Sequence, residues 1–310
     1  MRTAFIRSLI DHARANDRIF LVVGDLGFSV VEPFAAEFPG RFLNAGVAEQ
    51  NMTGVAAGLA AEGYHVFTYS IGNFPTLRCL EQVRNDVCYH RLPVTIVSVG
   101  AGFAYGNLGY SHHAVQDIAV MGTMPHMRVY SPADPRETVK CVDAIVARSG
   151  PSYLRIGKSG EPVLYPDLPE SHIDIDSGPV EIRGGNGCVA IVATGSILGV
   201  ALDAAAELAT KGIHVGVFSC PRLAPVNSEF LGPLWRYATI VTVEEHVPTG
   251  GLGSLLREYC PQRTRVVGLA IDSNLPQCVG TQDFLRAKHG LTTSRIVTLC
   301  QEATALLAGS

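Results

Sequence analysis

Short apolar runs recur along the chain, separated by stretches in which apolar positions return every three or four residues. The runs at 19–23 (IFLVV), 65–69 (HVFTY), 94–99 (VTIVSV), 127–130 (MRVY) and 153–156 (YLRI) have strand length and are mostly apolar. Near-continuous runs of this kind are the pattern of strands buried on both faces. Helical periodicity lies between them, near 3–15, 46–62, 74–90 and 134–148. Strand–helix alternation predicts a mostly parallel sheet covered by helices. The stretch 157–187 is rich in Gly, Pro, Ser and acids, and breaks the pattern. Alternation resumes with runs at 188–194, 214–220, 239–245 and 264–270 and helical patterns near 197–211 and 251–260. The expected architecture is α/β, with one domain over 1–160, a linker over 161–187 and a second domain over 188–310. No internal repeat is visible.

Composition narrows the function classes. Of the 310 residues, 47% are hydrophobic and 17% charged, so much of the chain is expected in interiors or interfaces. The net charge of -4, with no Lys/Arg cluster, argues against a general nucleic-acid binder. The opening MRTAFIRSLIDHARANDR reads as a charged amphipathic helix, not a signal peptide. No apolar run reaches the ~20 residues of a membrane span. The eight cysteines are scattered without a C-x-x-C pair. This predicts reduced thiols in a cytoplasmic protein, with neither disulfides nor a zinc site. Neither G-x-G-x-x-G nor a P-loop occurs.

Three stretches carry candidate chemistry. NAGVAEQNMTGVAAGLA (44–60) reads as a helix of small apolar residues with Glu49 in its first turn. An acid there offsets the helix dipole. A helix apolar all round is buried, however, so this carboxylate should be buried and needs a partner or a role. GNLGYSHHAVQD (106–117) sets His112 and His113 in a Gly-rich loop before a helix, where α/β proteins place their sites. A metal site is disfavoured, because Asp117 is the only acid nearby. VEEHVPTGGLGSLL (243–256) reads either as an anion site at a helix start or as a tight turn.

Taken together, GDLGFS, RFLNAGVAEQNM, FPTLRCLEQVRNDV, GYSHHAVQDIAVM, SPADPRE, GPSYLRIGK, VAIVATGS and TVEEHVPTGGLG, in this order, resemble the second half of the transketolase family. That half comprises the pyrimidine-binding and C-terminal domains, and is similar to the small subunit of split transketolases. The resemblance spans nearly the whole chain. It implies thiamine diphosphate as cofactor, with Glu49 hydrogen-bonded to the pyrimidine N1′. The 4′-imino tautomer so favoured takes the proton from thiazolium C2. It implies Glu49 and His112 as catalytic residues. Asp25, Glu49, Ile71, Phe74 and Arg78 would contact the cofactor, with Ile71 standing where an aromatic is usual. Ser29, Arg41, Leu108, His112, His113 and Lys158 would contact substrate.

Departures from the family pattern fall on the substrate side. Leu108 stands for an Asp that reads a donor hydroxyl, His113 for a Gln, Gly100 for a His and Lys158 for an Arg. Lys binds phosphate as a point charge, without the bidentate fork of Arg. The expected reaction is therefore transfer of a two-carbon ketol unit from a ketose donor to an aldehyde acceptor, with an atypical substrate. The family's G-D-G context for diphosphate and Mg2+ is missing, and no metal ligands are expected on this chain. The resemblance thus implies an N-terminal, diphosphate-binding partner subunit and an α2β2 assembly with a homodimeric core. Rival readings are a deoxyxylulose-phosphate-synthase-like or 2-oxo-acid-dehydrogenase-like subunit. From another class, the chain could be a non-catalytic scaffold or regulatory homologue.

Overall fold

The apolar runs become strands of two sheets in the computed structural model, which describes residues 1–273 and 278–308. In chain order the first half holds α1 (Arg2–Ala15), β1 (Ile19–Val23), α2 (Glu32–Glu37), β2 (Phe42–Asn44), α3 (Glu49–Ala61) and β3 (His65–Ile71). It continues with α4 (Leu80–Gln82), β4 (Val94–Val99), α5 (Asp117–Gly122), β5 (Arg128–Tyr130), α6 (Pro135–Val146) and β6 (Ser152–Ile156). The second half holds β7 (Val180–Arg183), β8 (Val189–Thr194), α7 (Leu198–Thr210), β9 (Gly216–Ser219) and β10 (Arg222–Ala224). It ends with β11 (Thr239–Glu244), α8 (Leu252–Tyr259), β12 (Arg265–Leu269), α9 (Gln282–Lys288) and α10 (Thr293–Ala308).

The first sheet runs β10-β5-β6-β4-β3-β1-β2 and the second β12-β11-β8-β9-β7. Among the described residues, the pairings between these strands are parallel except β10 on β5 and β7 on β9. The runs read from sequence are the inner strands, except that the run at 264–270 becomes the half-exposed edge strand β12, and β3, β4, β8 and β11 are almost wholly buried. Each fully buried Val, Ile or Phe in them contributes about 1.5–3 kcal/mol of transfer free energy. Phe5 of α1 stacks on Tyr69 of β3 at 5.9 Å, which fixes that helix on the sheet. Asp134 caps α6 by accepting from the Arg136 and Glu137 amides, with Pro135 in the first turn.

Several elements differ from expectation. β2, β7 and β10 have three or four residues and form sheet edges, too short for periodicity to reveal. β7 falls inside the stretch read as a linker. The helix expected near 74–90 is in place but irregular: a 3-10 turn (Leu77–Cys79), α4, then a π turn (Val83–Cys88). Such turns often mark functional segments. The expectation that the 46–62 helix is buried all round is corrected. Met52, Ala56 and Ala60 are buried, but Asn51, Gly54 and Gly58 form an exposed stripe. A Cβ built on Gly54 or Gly58 meets nothing within 4 Å. Among the described residues nothing covers that face. Among them, too, no helix is long and apolar enough to cross a membrane.

Candidate active site

Parallel strands bring their carboxyl ends to one edge of the sheet, and the loops leaving that edge form the usual site of α/β proteins. Here the loops after β1 and β3 meet the start of α3, and the loop after β4 packs on the loop after β3. Glu49 is the first residue of α3 and only 1% exposed. Its Oε1 accepts from Ser70 Oγ at 3.3 Å and its Oε2 from Arg78 Nη1 at 2.7 Å. Gly24 leaves the room this needs, since a Cβ there would lie 3.4 Å from Glu49 Cγ. Arg78 sits 4.4 Å over the Phe74 ring, a cation–π contact. Its side chain is 46% exposed, so the buried carboxylate is paired with a guanidinium that keeps contact with solvent.

Ile71 ends β3 and Phe74 lies three residues beyond it, both half-buried. Between them, Asn73 donates from Nδ2 to the carbonyls of Ser111 and His113, at 3.2 and 3.0 Å. It ties the histidine loop to the wall bearing Phe74. Asp25 and Ser29 both adopt left-handed backbone and lie exposed in the loop after β1. Asn44 holds this turn: its Oδ1 accepts from the amides of Asp25 and Gly46, and its Nδ2 donates to Asp25 Oδ1 at 2.9 Å. The Ser29 amide donates to Glu32 Oε1 at 2.8 Å.

The two histidines part company. His112 is half-buried and meets Phe74 edge-on at 5.1 Å, with Ser111 Oγ 3.0 Å from its Nδ1. Burial, then the charge of His113, lowers its pKa from the ordinary 6.5. It is therefore neutral at pH 7, with one nitrogen to donate and one to accept. His113 is 3% exposed and donates from Nε2 to the Gly106 carbonyl at 3.2 Å, between the rings of Phe103 and Tyr110. The expected substrate contact by His113 is thus corrected. It leaves the 3-10 turn Tyr110–His112 with extended backbone, which sends its ring into the loop interior.

Two other expected substrate residues do not join the site. Arg41 donates from Nη1 to the Asn16 carbonyl at 2.8 Å and from Nη2 to that of Ala13 at 3.0 Å, and stacks on Phe38 at 4.3 Å. Those carbonyls lie at the amino end of β1, the opposite end of the sheet from Asp25. Arg41 holds the α1–β1 turn. Lys158 lines a cleft of about 400 Å³ at the junction of the two halves, with Ser196, Gln282 and Arg286. None of Asp25, Glu49, Ile71, Phe74 and Arg78 lines that cleft. Leu108 is at the expected loop tip and 55% exposed. At Gly100 (φ 98°) a Cβ would lie 2.2 Å from the Tyr105 ring, so no His fits there without moving Tyr105.

Residues that local patterns missed complete the arrangement. The signal for Asn44 was present in NAGVAEQ, and Ser70 stands beside Ile71. Arg155 gave no local signal: it pairs with Asp117 at 2.7 Å, both essentially unexposed, while Tyr153 donates to the same Asp117 oxygen at 2.5 Å. The two readings of VEEHVPTGGLG resolve to the tight turn. Glu244 itself occupies the start of α8, accepting from the amides of Leu252 and Gly253 at 2.6 and 2.8 Å. Burial pushes its carboxyl up to about 7. Among the described residues no cluster of His, Cys, Asp and Glu is arranged to hold a metal.

Comparison with known proteins identifies the family. Residues 1–161 match the transketolase pyrimidine-binding domain and residues 178–296 the transketolase C-terminal domain. An apulose-4-phosphate transketolase subunit of Actinobacillus succinogenes is 33% identical over 91% of this chain and 91% of its own. The 6-deoxy-6-sulfo-D-fructose transketolase subunit SqwH of Clostridium sp. (strain MSTE9) is 34% identical over 98% of this chain and 94% of its own. Among solved structures, a split gene transketolase described as an inactive beta4 tetramer superposes with a TM-score of 0.83. It shows 35% identity over 98% of both chains.

Proposed function

From the premise that this chain belongs to the transketolase family, we propose that it is the pyrimidine-binding half of a thiamine-diphosphate-dependent split enzyme. The enzyme moves a two-carbon ketol unit from a ketose donor to an aldehyde acceptor. One observation carries the reading: the unbroken run of contacts Ser70–Glu49–Arg78–Phe74–His112. A buried acid, an apolar wall and a neutral imidazole are the groups an aminopyrimidine and a sugar carbonyl require.

The residues fit the cofactor. Glu49 is anchored through Ser70, and its outer oxygen is held by a half-exposed partner. When bound, thiamine diphosphate supplies the carbon nucleophile and the electron sink. Glu49 holds a proton at the pyrimidine nitrogen. Ile71 and Phe74 exclude water from that ring, and His112 hydrogen-bonds oxygens of the substrate. Asp25 and Ser29 stand in the loop after β1. The names of the two relatives, for apulose 4-phosphate and 6-deoxy-6-sulfo-D-fructose, support a ketose donor and leave its tail group open. Leu108 and Gly100 support a donor site rebuilt from the usual hydroxyl and phosphate contacts.

Diphosphate and Mg2+ are assigned to a partner subunit that carries the amino-terminal half, in an α2β2 assembly in the cytoplasm. This chain then divides near residues 160 and 188 into a pyrimidine-binding and a C-terminal domain. Support for a covering partner comes from the apolar side chains of Phe28 and Val47, 72% and 76% exposed, and from the open stripe of α3. Calorimetry of thiamine diphosphate with Mg2+ tests the reading, on this chain alone and mixed with the diphosphate-binding chain. Binding only in the mixture is expected. Absence of binding in both would sink the proposal.

A further inference from the structure

The loop that carries His112 is held from the second half of the molecule, and the hold converges on one side chain. Glu245 follows β11 and is 4% exposed. Its Oε1 accepts the Phe103 amide at 2.6 Å, across 142 residues of sequence. The same carboxylate takes two contacts from Arg286, at 2.7 and 2.9 Å, and two from Gln282, at 3.0 and 3.1 Å. Arg286 is 11% exposed and also donates to Ser196 Oγ. Gly102 has φ 59°, and a Cβ there would lie 2.6 Å from the Glu245 side chain, so the loop is shaped to admit this carboxylate.

Other contacts repeat the pattern. The Gly280 amide donates to the Gly106 carbonyl at 3.3 Å, and the His289 ring stacks on Phe103 at 5.2 Å. Arg155 donates through one Nη2 to the carbonyls of Ala114 and Glu245, so the far end of the loop is tied to the same residue. The loop is thus fixed at 103 and 106 by the carboxyl half, at 114 by Arg155 of β6, which also holds the Glu245 carbonyl, and at 111 and 113 by Asn73. His112 lies between these anchors, with its ring toward Phe74.

We infer that Glu245 is a positioning residue for the His112 loop, and that the C-terminal domain serves as the frame that aims this imidazole. The role of His112 in the inference rests on the functional reading above. A carboxylate suits the task because it serves a backbone N–H and a guanidinium at once. A neutral amide keeps the first contact and loses the charged one.

Hydrogen–deuterium exchange on the full chain tests this. In Glu245→Gln and in Arg286→Met, amides of 101–113 should exchange at least about ten-fold faster, while those of β4 and β11 keep their protection. Arg286→Lys should restore part of the loop protection. The His112 ring resonances in NMR spectra should move with the loop. Unchanged exchange in 101–113 overturns the inference, as does equal acceleration of β4 and β11, which would mean general destabilisation. None of these readouts needs cofactor. If thiamine diphosphate fails to bind the mixture, the functional reading falls while the exchange result still decides the role of Glu245.

Discussion

Glu49 and Glu245 are both nearly unexposed carboxylates at carboxyl edges of parallel strands, yet their surroundings differ in kind. Around Glu49 the partners are one hydroxyl and one arginine that is half in solvent. Around Glu245 they are a backbone amide, a side-chain amide and an arginine at 11% exposure, with Gly102 pressed against it. A buried acid whose partner is half in solvent is available for proton chemistry. One whose partners are themselves enclosed holds structure. Burial of the acid alone does not separate the two cases; the exposure of its partner does.

The sharpest way to break this contrast is Glu49→Gln. Turnover in the assembled enzyme should fall about 10³-fold, while the unfolding midpoint of this chain moves by less than about 2 °C. A steady-state transfer assay and a thermal melt read both. Unchanged turnover would favour the scaffold reading. Glu245→Ala should do the reverse to stability. Removing it strands Arg286 and the Phe103 amide, and should cost about 3 kcal/mol in urea unfolding.

The smallest effect comes from Glu244, the neighbour that caps α8. Its carboxyl is raised from 4.5 to about 7, so the folded state keeps a proton that the unfolded chain loses near 4.5. Its contribution is full below 4.5 and is lost as pH rises through about 7. Glu244→Gln carries no such dependence. Relative to wild type, the variant should gain about 2 kcal/mol between pH 5 and 8 in chemical unfolding at each pH.

How much of this was legible in advance follows the range of each interaction. The inner strands were readable because burial on both faces leaves an almost unbroken apolar run, as in VTIVSV. β7 and β10 were not, because four and three residues at an edge are strands only through the neighbour they pair with. Glu49 was readable because an acid inside a small-residue helix is locally anomalous. Arg41 was misread, since nothing in RFLNAG says that carbonyls of α1 will take its guanidinium. His112 and His113 were indistinguishable because ring direction in that loop depends on Asn73 and on residues beyond 240. For the same reason Glu245 went unnoticed: it is one acid of a pair in sequence, and its meaning lies 142 residues away.

β10 carries a practical corollary. A strand from the second half completes the first sheet, lying antiparallel on β5 with Arg222 opposite Tyr130 and Ala224 opposite Val129. Cutting the chain near residue 160 would strip β5 of its outer neighbour and leave a row of free amides and carbonyls at the edge. Such an edge recruits whatever strand it meets. The two family domains are therefore separable on paper but not on the bench, and the unit to express, mutate and mix with a partner is the whole chain.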